Sequence, residues 1–281
     1  MTTVTTAPDA APVRAARPTS YRLGFGRLLA SEGIKLTTVR ATWWSFVLVA
    51  AISIGLSLLQ AWAFAATDMP ADGDANTLAV QVVVFSTVLT QLLAVIVGTI
   101  TVTGEYSTGM MRSTLTATPG RTGQLLAKSL LLAATMFVFS LVVFAIAAAV
   151  SGPILPTGMI DLGDPVTSIV PLLGAALYLA VCAVMGVGIG FIIRNGPGAL
   201  ALGIGVIFVL PVLVLFFPRS DAFEWVHVAS SYLPSNAGQS LFMGTPMSGD
   251  LLEPLPATIT IIVWAVAALV GGLAVLKTRD A

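Results

Sequence analysis

Residues 168–193 read SIVPLLGAALYLAVCAVMGVGIGFII, with no Asp, Glu, Lys or Arg among them. As an α-helix this stretch is about 39 Å long, more than the ~30 Å hydrocarbon core of a bilayer. Outward from it, five further runs have the same character: about 43–66, 80–103, 129–150, 198–217 and 257–276, each free of charged residues. The runs are continuous, whereas strands of a membrane barrel alternate over about ten residues. Lipid offers the backbone no hydrogen-bond partner, so continuous apolar runs of this length cross as helices. The sequence therefore predicts an all-α membrane protein of six transmembrane helices.

Composition agrees. Of 281 residues, 57% are hydrophobic and 9% charged, and the mean hydropathy is +0.96. A soluble domain is about 25% charged. That deficit excludes an ordinary soluble enzyme, a disordered chain and a nucleic-acid binder. A single Cys leaves no disulfide framework and no Cys-rich metal site.

Net charge is zero, but its distribution is not even. Arg14, Arg17, Arg22, Arg27, Lys35 and Arg40 precede the first span. Arg112, Arg121 and Lys128 lie between the second and third, Arg194 between the fourth and fifth, and Lys277 and Arg279 after the sixth. Only Arg219 falls on the other side, which carries Asp68, Asp72, Asp74, Asp161, Asp164, Asp221, Glu224, Asp250 and Glu253. The positive-inside rule places both termini in the cytoplasm, and an even number of spans agrees. The chain is expected to be a multi-pass protein of the cell membrane. Residues 1–20 read as a disordered cytoplasmic tail and 21–281 as the membrane domain. The first apolar run begins near residue 43 and is too long for a cleaved signal. In residues 21–40, Leu23, Phe25, Leu28, Leu29, Ile34 and Leu36 interleave with Arg22, Arg27, Lys35 and Arg40, the pattern of a helix in the inner headgroup layer. Trp43, Trp44 and Trp62 read as interfacial anchors.

Little in the chain could do chemistry. His227, the one histidine, has no Cys or acid at ligand spacing, and Cys182 sits mid-span as a small hydrophobe. Gly120, Gly123 and Lys128-Ser129 miss the spacing of a phosphate-binding loop, so neither nucleotide nor catalytic residue is assigned to this chain. Gly186 and Gly190, four apart, form a small-residue face for close helix packing. In the second span Thr87, Thr90, Gln91, Ala94, Gly98 and Thr101 recur at steps of three and four. This stripe avoids lipid and faces either a neighbouring helix or a cavity.

Ion-coupled transporters place ionisable groups within their spans. These spans hold none, so energy for uphill transport would have to arrive from outside the membrane. Residues 104–128, GEYSTGMMRSTLTATPGRTGQLLAK, then matter most. Gly104 is expected to end the second span, Tyr106 to Ala117 to form a short helix, Thr118-Pro119-Gly120 a turn, and a second helix to start near Gln124 and run into the third span.

Three segments together resemble the membrane-spanning subunit of a type-2 ATP-binding-cassette (ABC) exporter. They are Ser31-Glu32-Gly33-Ile34-Lys35-Leu36 with Arg40-Ala41-Thr42-Trp43-Trp44; Gly104-Glu105-Tyr106-Ser107-Thr108-Gly109-Met110-Met111-Arg112 with Pro119 and Lys128; and Tyr232-Leu233-Pro234-Ser235-Asn236-Ala237-Gly238. The resemblance spans roughly residues 21–279. It implies that residues 21–40 are an amphipathic connecting helix and that a cytoplasmic coupling helix follows Glu105. Glu105, Gly109 and Arg112 would then transmit ATP-driven motion. It implies a translocation path lined by the second and fifth spans, to which Thr87, Thr90, Gln91 and Thr101 would belong, and short re-entrant helices before the sixth span. The implied partners are a separate ABC ATPase subunit, which would hold ATP and Mg, and a second permease subunit. The cargo would be amphipathic or hydrophobic. The alternative is a structural or regulatory membrane subunit that transports nothing.

Overall fold

The computed structural model describes residues 24–66, 75–111, 121–155, 160–243 and 248–278. Among these every regular element is helical. Six helices are long and apolar enough to span a membrane, at the places the apolar runs predicted. The tail 1–20 lies outside the described residues.

Helix α1, Phe25–Thr38, breaks at Val39, whose extended backbone (φ −80°, ψ 114°) turns the chain into α2, Arg40–Ala66. The second span is longer than its apolar core. It consists of α3, Ala75–Val84, and α4, Thr87–Ser107. The break at Phe85-Ser86 has a hydroxyl cause. Ser86 Oγ donates to Val83 O at 3.1 Å and lies 2.8 Å from Ser53 Oγ of α2, while Thr90 Oγ1 donates to Ser86 O. Side chains that bond back to the preceding turn loosen and bend a helix.

Helix α5, Arg121–Ser151, starts well before the apolar run of the third span and carries its polar first turns beyond the hydrocarbon. Helix α6, Ile169–Ile193, stops where Arg194 adopts a left-handed conformation (φ 57°) and donates its N–H to Gly190 O at 2.9 Å. Asn195 then caps α7, Gly196–Ile204, by accepting from Gly198 N at 3.2 Å. The fifth span continues through a π-helical turn, Gly205–Val209, into α8, Leu210–Val214. Pro211 explains the widened turn: it has no N–H, and its ring would collide with the carbonyl four residues back in a regular α-helix. Short helices α9, Glu224–Ser231, and α10, Pro234–Gln239, precede the last span, α11, Pro254–Thr278.

Helix α6 is the axis of the bundle. Its apolar window is 78% buried and that of the second span 61%, against 22–33% for the other four. Glycine lets neighbours approach it on two faces. A Cβ on Gly186 would lie 2.3 Å from Val95 O of α4, and one on Gly98 of α4 would lie 2.0 Å from Ala183 O. On the other face, a Cβ on Gly188 would meet Ala268 of α11 at 2.4 Å. The Gly186/Gly190 face is thus a helix contact, and Gly188 serves a second one that the four-residue spacing did not show. The outer helices present Trp43, Trp44, Val47, Leu59, Ile259 and Val263 outward, all exposed. Such apolar flanks belong in lipid.

Candidate functional site

Four ionisable side chains meet where α1, α4 and α5 converge. Glu32 and Lys35, three residues apart on α1, share one face of that helix. Glu105 lies in the last turns of α4, and Lys128 in the early turns of α5. Lys35 Nζ is 2.6 Å from Glu32 Oε1 and 2.9 Å from Glu105 Oε1. Lys128 Nζ is 2.6 Å from Glu32 Oε2 and 2.8 Å from Glu105 Oε1, and it donates weakly to Thr101 O at 3.4 Å. The ring is closed and neutral, two acids against two bases. The side chains of Glu32, Lys128 and Glu105 are only 4%, 6% and 8% exposed; Lys35 is 24% exposed.

An isolated buried charge costs several kcal/mol. Here each charge touches two of the opposite sign, which offsets desolvation and fixes the register of α1 against α4 and α5. Burial pushes the Glu32 carboxyl up, but the Lys128 and Lys35 ammoniums beside it outweigh burial and hold it below its ordinary 4.5. Burial likewise pushes Lys35 down, and the Glu32 and Glu105 carboxylates outweigh that and raise it above 10.5. The stability from Glu32 is therefore fully present above about pH 4.5 and is lost as pH falls through its lower folded value. That from Lys35 is present below 10.5 and is lost as pH rises through its higher folded value. Trp43, next to α1, reports this docking: its emission is expected to stay constant from pH 5 to 10 on these values and to change outside that window. A midpoint near neutral pH would contradict the cluster.

The structure corrects the expected boundaries around Glu105. Helix α4 does not stop at Gly104; it runs to Ser107, so Tyr106 and Ser107 belong to it rather than to a separate short helix. Gly109 ends it instead. Its φ of +72° is the left-handed conformation that closes a helix C-terminus, with its N–H on Tyr106 O at 3.3 Å. Met110 and Met111 begin a new helical segment. Arg112 and the rest of the expected coupling helix lie outside the described residues. Glu105 is buried and turned inward onto Lys35 and Lys128. Lys35 and Lys128 count among the basic residues of one side and Lys35 in the amphipathic pattern of residues 21–40, but neither that pattern nor the charge asymmetry pairs them with Glu32 and Glu105. The signal was clearest for Lys35, set between Ile34 and Leu36, and for Lys128, which follows Leu125-Leu126-Ala127; a cation drawn into apolar surroundings has to pair.

The same foot of α4 reaches α6 and α11. The Tyr106 ring packs edge-on against Phe191 at 6.4 Å, and the Arg194 guanidinium sits 5.2 Å over it while donating to Val275 O at 3.0 Å. A cavity of 470 Å³ opens beside them, lined by Thr103, Tyr106, Gly109, Met111, Arg194 and Pro197.

The polar stripe of α4 resolves toward helix packing over most of its length. Thr87, Thr90 and Gln91 are each 1% exposed. Gln91 Oε1 accepts from Tyr178 OH of α6, and Gln91 Nε2 donates to Val88 O at 2.8 Å. Thr101, half-buried, lines a cavity of 50 Å³ beside the charge cluster, too small for cargo. Tyr178 also bears on the outer loop: a Cβ on Gly238 of α10 would lie 2.3 Å from its ring. All six residues of α10 are buried, and Asn236 Nδ2 donates to Ser230 O at 2.7 Å and Ser248 Oγ at 2.8 Å. The expected short helices before the last span are there, and the second of them, α10, packs on α6 and α11. Among the described residues, no three His, Cys, Asp or Glu side chains group as metal ligands.

Residues 46–276 match the family described as ABC-2 family transporter protein. The chain belongs to the ABC-2 transporter family. The match runs from within the first span to within the sixth and leaves out α1, so Glu32 and Lys35 lie outside it and Glu105 and Lys128 inside. A comparison with curated proteins found no match. As an ABC-2 protein the chain is a multi-pass permease component of an ABC transporter, not itself the catalytic part.

Proposed function

We propose that this ABC-2 permease exports an amphipathic or hydrophobic substrate across the cell membrane, driven by ATP hydrolysis in a separate ATPase subunit. It pairs with a second permease subunit, and both termini face the cytoplasm, as the distribution of basic residues favours. The observation that carries this reading is the buried ring of Glu32, Lys35, Glu105 and Lys128. It ties α1, α4 and α5 together at the two ends of segment 108–120, the segment an ATPase would push. Force on that segment moves α4 and α5 with the charge cluster as their joint, and α6 follows through its glycine contacts. Glu105 acts from within as a positioning residue, and Arg112 as the charge offered to the partner. Transport requires two global states whose balance ATP shifts. Thr87, Thr90 and Gln91 line the path only in a state where α4 parts from α6.

Burial of these three, with Gln91 held by Tyr178 of α6, also favours a second reading, a structural or regulatory ABC-2 subunit with no path. Cysteines placed at Thr87 and Thr90 separate the two; native Cys182 is buried, and labelling of the unsubstituted chain serves as the control. Labelling that appears with ATP and the partner present is expected, and protection in every state would favour the second reading. Glu105→Ala and Arg112→Ala are expected to abolish efflux of an amphipathic dye panel while membrane insertion stays intact. Normal efflux in both variants would remove these residues from the coupling route.

A further inference from the structure

Beside the charge cluster, α1 closes a second and different space. Gly33 and Leu36 of α1, Trp43 and Phe46 of α2, and Leu131 and Phe139 of α5 line a groove of 360 Å³. That is within the ~300–1,000 Å³ of small-ligand sites. Leu36 is the wall between the groove and the cluster, lining both.

The polar groups in the groove are already used by the protein. Trp43 Nε1 donates to Thr37 O at 2.8 Å, Thr37 Oγ1 to Ile34 O at 3.0 Å, and Thr135 Oγ1 to Leu131 O at 2.8 Å. What remains is an apolar surface, so the occupant is apolar along its length. Its source follows from the surroundings. Trp44 and Val47 of α2 and Leu130, Val138 and Val142 of α5, on the same stretches of the two helices that line the groove, are exposed, so these helices face lipid rather than water there. Leu131 to Phe139 lie in the first turns of the third apolar run, just past Lys128, and Trp43 marks the interface. The groove is therefore at acyl-chain depth in one leaflet, the one on the basic side. One turn before Trp43, Arg40 is exposed at the start of α2. The one acid of α1, Glu32, is committed to the two lysines. The charge at the mouth is thus positive and complements an anionic headgroup.

We infer that this groove holds one acyl chain of an anionic phospholipid, with the headgroup beside Arg40. The chain wedges between α2 and α5 and presses α1, with Glu32 and Lys35, onto the rest of the cluster. Lipid composition thereby sets how firmly the joint of the transporter is held. The choice of leaflet rests on the cytoplasmic placement of the termini proposed above; lipid retention itself needs neither ATP nor a partner.

The test uses the full chain, purified in mild detergent, delipidated and titrated with phosphatidylglycerol or phosphatidylcholine under native mass spectrometry. Wild type is expected to hold one phosphatidylglycerol about five-fold more tightly than phosphatidylcholine. Arg40→Gln should remove that preference, and Thr135→Trp, which fills the groove, should remove the tightly held lipid. Photoreactive phosphatidylglycerol labelled in its acyl chain should crosslink to the peptide containing residues 131–139, a readout that stands even if Thr135→Trp fails to fold. Equal binding of the two lipids, crosslinks only elsewhere, or capture of a non-phospholipid substrate at this peptide would overturn the inference. Because these readouts are taken without ATPase, loss of the transport reading would leave them unchanged.

Discussion

Lys128→Met is expected to destabilise the folded protein by about 3–5 kcal/mol, the usual consequence of removing one partner from a buried ion pair. Lys128 is the cation on Glu32 Oε2 and one of two on Glu105 Oε1. Without it, two carboxylates that are 4% and 8% exposed share only Lys35. The effect is read as denaturant unfolding in detergent micelles. A second variant separates lost charge balance from lost packing. In Lys128→Met with Glu105→Gln, Lys35 and Glu32 remain as a balanced pair, so the double variant should be more stable than the single one. Two groups in one network couple in this way, whereas independent sites add. Wild-type stability in Lys128→Met would mean that the ring does not hold α1, and additivity would mean that its members do not act together.

Gly186→Leu is expected to prevent correct packing of α4 on α6. The first added atom would sit 2.3 Å from Val95 O and 3.0 Å from Thr99 N, both backbone. No rotamer change relieves such an overlap; a helix has to move. The cost lies at or beyond the upper end of the ~1–3 kcal/mol typical of overpacking, and Gly98→Leu from the facing helix should behave alike. Gly55→Ala on α2 is the contrast. Nothing lies within 4 Å of its Cβ, and Ala is the better helix former. Size-exclusion profiles of detergent extracts report both: loss of the monodisperse peak for Gly186→Leu, and an unchanged peak for Gly55→Ala. A normal profile for Gly186→Leu would show that the two helices need not touch there.

The spans were legible because hydrocarbon imposes one rule, about 20 apolar residues per crossing. Where helices leave the hydrocarbon the rule lapses. Hence α5 begins at Arg121, and α4 continues past Gly104 to a stop set by Gly109. The stripe on α4 was readable as a stripe, since periodicity is local. Its neighbour was not, because the Gln91–Tyr178 contact joins residues 87 apart. The charge cluster shows the same limit. Glu105 stood out as the lone acid of its segment, but its pairing with Lys35, 70 residues away, is a fact of packing. Gly188 was hidden for a related reason: its partner face lies on α11, the last helix of the chain.

Whether this ABC-2 permease is driven through its 108–120 segment by a separate ATPase is decided by its company in the membrane. The tagged chain is extracted from its native membrane in mild detergent and its co-purifying proteins are identified by mass spectrometry, alongside a variant with Arg112→Ala. A stoichiometric soluble ATPase with a phosphate-binding loop is expected on the wild-type chain, and a weakened association for the variant. A well-folded chain that brings no ATPase, in repeated extractions at low detergent, would contradict an ATPase-driven permease.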